Sequence, residues 1–184
     1  MIDNELLLIE TINELLNPKT ELKSVIKEDE YGKYVDNKNI DLSNFSNKEI
    51  RYIITKYLEN KFLNKFLFID KDRIKVTKHG IKKMRNYTNN DIEKSYIELD
   101  KITKIATYEN QELNSKSNEF NAPIYRYYIS RLKVNNTMFD LRIVVRVPIT
   151  NEQSAYIYSI QIKKKPIGTS LDVAPTDLNQ IKVR

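Results

Sequence analysis

The chain has 184 residues, one histidine, no cysteine, 40% hydrophobic residues and a net charge of +6. That is enough apolar material for one ordinary domain with a real core. It excludes a disulfide framework and a thiolate metal site, and no run approaches the ~18 apolar residues of a membrane helix.

The charge is uneven. Residues 1–70 hold 10 basic and 13 acidic side chains, and residues 71–184 hold 21 and 12. The C-terminal part is therefore suited to a polyanion or an acidic protein. Lysines that only solvate helices and strands are the plain alternative. The start, Met1-Ile-Asp-Asn-Glu5, is acidic where a signal peptide would be basic, so the expectation is a cytoplasmic protein.

Residues 4–16 place Leu7, Ile9, Ile12, Leu15 and Leu16 at helical spacing, with Asp3 or Asn4 as N-cap. Asn17-Pro18 stops this helix. Residues 19–45 are polar and aperiodic, and read as a loop or linker. Ser46-Asn-Lys-Glu49 is a capping box. The helix behind it carries Ile50, Ile53, Ile54, Tyr57, Leu58 and Phe62 on one face and runs to about Phe66. Residues 73–77 form a short strand, and Thr77 caps a short helix with Lys78, His79, Lys82 and Lys83. A further cap lies in 88–91. Ile92, Tyr96, Leu99, Ile102, Ile105 and Ala106 then recur at helical spacing, a stripe that should lie on a sheet. Residues 109–122 read as a polar loop.

The last third alternates apolar and polar residues in three runs: 125–134, 137–147 and 156–162. Period two means strands, here antiparallel with one buried and one wet face. Asn135-Asn136 suits a two-residue hairpin turn, because asparagine tolerates the positive φ it requires. Counting outward sets Arg131 opposite Asp140, Ile129 opposite Arg142 and Tyr125 opposite Arg146. The wet face should show Tyr125, Tyr127, Arg131, Arg142 and Arg146, extended by Ser159, Gln161 and Lys163. Tyr156, Tyr158, Ile160 and Ile162 should be buried, unless a bulge at 149–154 swaps the faces. The fold class is α+β, with N-terminal helices packed on a C-terminal antiparallel sheet. The divisions are an extension 1–59, a core 60–165 and a tail 166–184.

Tyrosines stack on unpaired bases, and arginines clamp phosphate with a planar fork. The wet face is thus an RNA-binding candidate through Lys78, Lys83, Tyr125, Tyr127, Arg131, Gln161 and Lys163. A solvated sheet face is the bland alternative. His79 lies among lysines and changes protonation near neutrality. Cleavage of RNA needs a base for the 2′-hydroxyl, an acid for the leaving oxygen and cations for the developing charge. His79, Lys82, Arg142, Arg146 and Ser159 could fill those roles. An exposed helix residue is the plainer reading of His79. No phosphate loop, metal-ligand cluster or hydrolase triad is present, so the chemistry left is metal-independent, with no cofactor.

The block Ile74-Lys-Val-Thr-Lys-His-Gly-Ile-Lys-Lys83, the helix Leu99-Asp-Lys-Ile-Thr-Lys-Ile-Ala106 and the three strands follow in an order that resembles a known group. These are the large polyvalent protein-associated, barnase–EndoU–colicin–RelE-like domains of phages and mobile elements. The likeness covers about residues 60–165. It implies helices on one face of an antiparallel sheet and RNA cleavage as a toxin-like activity, with the His79–Lys82 region and Arg142, Arg146 and Ser159 at the matching positions. The partners it implies are RNA, tRNA included, or an immunity protein. The alternative function is a non-catalytic phage inhibitor, acting as anti-CRISPR proteins do by blocking a host RNA–protein complex with the basic face.

Overall fold

The structure, a computed structural model, describes residues 2–38, 41–86, 93–113, 123–148 and 155–163. It is α+β. Helix α1 (Ile2–Leu16) buries Ile12 and Leu15. Helix α2 (Asn47–Phe62) starts at the capping box: the Ser46 hydroxyl accepts from the Glu49 amide at 3.4 Å, and the Glu49 carboxylate accepts from the Ser46 amide at 2.7 Å. Its apolar stripe, Ile50 to Phe62, is buried as the spacing requires. Helix α3 (Lys78–Asn86) is capped by Thr77, whose hydroxyl accepts from the Gly80 amide at 3.1 Å. No helix among the described residues is long and apolar enough to cross a membrane.

Among the described residues, six strands form one sheet: β1 (Val25–Asp29), β2 (Gly32–Asp36), β5 (Thr107–Leu113), β6 (Ile124–Val134), β7 (Thr137–Val147) and β8 (Tyr156–Ile162). A separate ribbon pairs β3 (Phe66–Ile69) with β4 (Asp72–Lys75). The β6–β7 hairpin has the counted register, with Arg131 opposite Asp140, Ile129 opposite Arg142 and Tyr125 opposite Arg146. Asn135 and Asn136 take φ of 47° and 65°, the left-handed pair that a type I′ turn needs. One edge of β6 serves two neighbours. Antiparallel β5 pairs along Ile124–Ile129, and parallel β2 pairs at Leu132 and Lys133.

One face of the sheet carries the core. Leu132, Tyr128, Leu141, Ile143, Val145, Ile157 and Ile160 meet side chains from the helices and from β2, β3 and β4 in one cluster. Each such large apolar side chain contributes about 1.5–3 kcal/mol by leaving water. Arg126 also lies on this side, where it and the Tyr128 hydroxyl both donate to Asp72 at the start of β4.

Several expectations need correction. Residues 19–45 contain the β1–β2 hairpin, turned by Gly32 at φ 109°. Residues 109–122 begin inside β5. Strands β1 and β5 are almost wholly exposed, so neither shows the alternation that a half-buried strand shows. Helix α2 stops at Phe62, and the next three residues lead into β3. The expected helix 92–106 is two pieces, α4 (Glu93–Ile97) and α5 (Leu99–Ile105). The break falls at Glu98, 1% exposed, whose carboxylate accepts from Ser24 Oγ at 2.5 Å, Asn37 Nδ2 at 3.1 Å and Lys101 Nζ at 2.9 Å. The cap expected in 88–91 lies outside the described residues, as does the tail 166–184.

Candidate functional site

The outer face of the sheet is set by two bulges. In β8, Val144 faces Ser159 while Val145 faces Ile157, so Tyr158 is the extra residue. This bulge lies within the strand, and residues 149–154, where one was expected, lie outside the described residues. Beyond it the parity is reversed, and Tyr156 pairs with Arg146 on the outer side while Ile157 enters the core. Tyr156 and Tyr158, expected to be buried, are therefore half-exposed on the outer face. Ser159, expected to be exposed, is 1% exposed, and Gln161 donates to its hydroxyl at 3.5 Å. Burial puts that hydroxyl out of a substrate's reach. Ile160 is buried as expected, and Gln161 and Lys163 are exposed.

The second bulge is in β5, where Glu109 is skipped between Tyr108 and Asn110. Its carboxylate crosses the outer face. It accepts from Arg142 Nε at 2.9 Å, pairs with Arg142 Nη2 at 2.8 Å, and also takes Lys163 Nζ. Lys163 first, and Arg142 after it, hold the Glu109 carboxyl below the usual carboxylate range. The Arg142 guanidinium lies 4.9 Å from the Tyr127 ring centre, and the Tyr127 hydroxyl donates to Glu112 at 3.1 Å. Burial, followed by Glu112, pushes the Tyr127 phenol up.

Arg131 is engaged in the same way. It makes a two-pronged contact with Asp29, at 2.6 and 2.8 Å, and donates to the Gly32 carbonyl at 3.1 Å. Asp140, the partner expected across the strands, stands at 3.9 Å. The middle of the outer face is thus charge-compensated. Glu109 and Asp29 do this from segments that read as loops, and no periodic signal in either segment announced them.

The opposite end of the face is different. Tyr125 and Tyr158 meet edge to face at 5.6 Å. Arg146 Nη1 donates to the Tyr156 hydroxyl at 3.4 Å. Helix α3 rims this corner and packs against β8, where a Cβ at Gly80 would meet Tyr156 Cβ at an ordinary contact distance of 3.4 Å. The His79 ring then sits edge-on to Tyr156 at 5.2 Å, and Lys83 Nζ lies 6.0 Å from the Tyr158 ring. Lys78, His79 and Lys82 are exposed. Among the described residues, none of Lys78, Lys82, Lys83 and Arg146 forms an ion pair.

The structure therefore brings together His79, Lys83, Tyr125 and Arg146, and adds Tyr156 and Tyr158. It sets Arg142, Tyr127, Arg131 and Lys163 apart as internally paired groups. Comparison with protein-family models, with curated proteins and with solved structures finds no match.

Proposed function

We propose that the corner between β6, β7, β8 and α3 binds single-stranded RNA. The observation that carries this is the Tyr158 bulge, which turns two more tyrosines toward Tyr125 beside an arginine with no acidic partner among the described residues. Aromatic faces accept unpaired bases of any sequence, at about 1–3 kcal/mol per base. Arg146, Lys83 and Lys82 supply the cations that follow the phosphates.

A second reading, cleavage, is favoured by the exposed His79 beside Tyr156 and Arg146. His79 would take the 2′-hydroxyl proton as the 2′-oxygen bonds to phosphorus. The bond to the 5′-oxygen then breaks, and solvent protonates that oxygen. Arg146 would face the charge gathering on the phosphate.

Fluorescence anisotropy with a labelled oligouridylate tests the binding. Tyr158→Ala and Arg146→Ala should each weaken it at least fivefold, and Arg142→Ala should weaken it less. Folded protein that binds no RNA at low salt removes the proposal. RNA cut in EDTA by the wild type but not by His79→Ala supports the second reading, and RNA bound yet left intact removes it. Capture of a host RNA–protein complex without direct RNA binding points to the inhibitor instead.

A further inference from the structure

We infer a second polyanion site, a basic groove between α2 and α3 that takes the phosphates of the same RNA strand after it has crossed α3. The inference rests on the RNA reading of the tyrosine corner and extends it to a part of the surface that the corner does not include.

The groove has a volume of about 730 Å³ and is lined by Lys48, Arg51, Tyr52 and Lys56 of α2 and by Arg85 of α3. Among the described residues, no carboxylate lines it. Helical spacing explains the α2 side. Positions 48, 51, 52, 55 and 56 recur at three and four residues and so share one face. The opposite face carries Ile50, Ile53, Ile54 and Tyr57 into the core. Lys48 and Arg51 form no ion pair among the described residues, whereas Lys56 pairs with Glu59 at 3.3 Å. Tyr52 is 44% exposed, and the Lys56 ammonium stands 5.9 Å from its ring centre. The groove therefore repeats the chemistry of the corner: cations beside an accessible aromatic ring.

Helix α3 connects the two. His79 and Lys83, four residues apart, border Tyr156 and Tyr158. Lys78, Lys82 and Arg85 form the neighbouring row, and Arg85 ends in the groove. A strand leaving the tyrosine corner has only the width of one helix to cross, about 10–12 Å with side chains. It meets cations on both sides of that helix.

An acidic protein surface would also be attracted by charge. Protein interfaces, however, depend on a buried apolar or aromatic centre with a polar rim. The groove offers one tyrosine and otherwise polar or charged side chains, which suits a phosphate backbone better.

Labelled oligouridylates of roughly 4 and roughly 16 nucleotides separate the two sites, since single-strand sites span about that range. The readout is the slope of log affinity against log salt, which counts phosphates and is unaffected by the number of binding registers. Each phosphate contact adds about 0.7 to the slope for a single strand. Wild type should show a slope steeper by about 1.4 or more with the long strand. The double variant K48E/R51E should lose that increment and bind the short strand within about twofold of wild type. The fold should tolerate it, because both residues are exposed, and Lys48 lies in the first turn of α2, where an acid is favoured by the helix dipole. Arg51→Gln is the milder variant, expected to lose about half the increment.

Equal slopes for the two lengths, or a double variant that keeps the long-strand slope, would overturn the inference alone. Polyglutamate that displaces the long strand from wild type as well as unlabelled RNA does would overturn the assignment to nucleic acid. Folded wild type that binds neither length overturns the corner reading, and this inference with it.

Discussion

Removing one carboxylate should strengthen RNA binding. Glu109 holds both Arg142 and Lys163 on the outer face, so Glu109→Gln releases two cations within the sheet surface that adjoins the tyrosine corner. If each then meets one phosphate, the salt slope steepens by about 1.4, at about 0.7 per phosphate. At 0.1 M salt that corresponds to about fivefold per contact, or about 25-fold in affinity. Stability should change little, because the Glu109 side chain is 22% exposed and partly exposed ion pairs contribute about 0–1 kcal/mol each. The assay is anisotropy of a labelled oligouridylate across a salt series, with a thermal melt as the control. Lys163 and Arg142 hold the carboxyl below its usual range, so the wild-type restraint should persist at neutral and mildly acidic pH. A Glu109→Gln protein of wild-type stability that binds with wild-type affinity and slope would refute the idea that compensation by Glu109 limits this face.

Three further outcomes concern the fold. Glu98→Ala should cost about 3–5 kcal/mol in urea unfolding, because it strips a buried acceptor from Ser24, Asn37 and Lys101 at the α4–α5 break. A loss under about 1 kcal/mol would show that these donors find other partners. Asn4 first, then Ser46, pull the Glu49 carboxyl down to about 2. The unfolded chain therefore binds the proton more readily, and the stability Glu49 contributes is present above its ordinary value of 4.5 and lost as pH falls toward 2. Acid melts of wild type and Glu49→Gln should converge across that window, and a constant gap would contradict it. Asn136→Val should destabilise by about 1–2 kcal/mol, since a branched side chain resists the left-handed φ of 65° held there. Asn136→Gly, measured beside it in urea, should be nearly neutral.

Local patterns were legible where burial is one-sided. The Ser46–Glu49 capping box and the stripe from Ile50 to Phe62 give α2 directly. The pair Asn135-Asn136 fixes the β6–β7 register, and with it the shared face of Tyr125, Tyr127, Arg131, Arg142 and Arg146. The strands β1 and β5 were not legible. They add to sheet edges with their side chains in water, and an exposed strand has no reason to alternate. The site was legible only in part. His79, Lys83, Tyr125 and Arg146 do meet at one corner, whereas Ser159 is buried and Arg142 is held by Glu109.

What the sequence by itself determined is the kind of layers present: amphipathic helices, a strand hairpin of known register, and a cationic surplus after residue 70. Tertiary structure alone decided which cations stay without an acidic neighbour. One extra residue in a strand reverses every side chain beyond it, and it leaves no trace in composition or period. The bulge at Tyr158 brought two tyrosines outward, and the one at Glu109 set a carboxylate across two basic side chains.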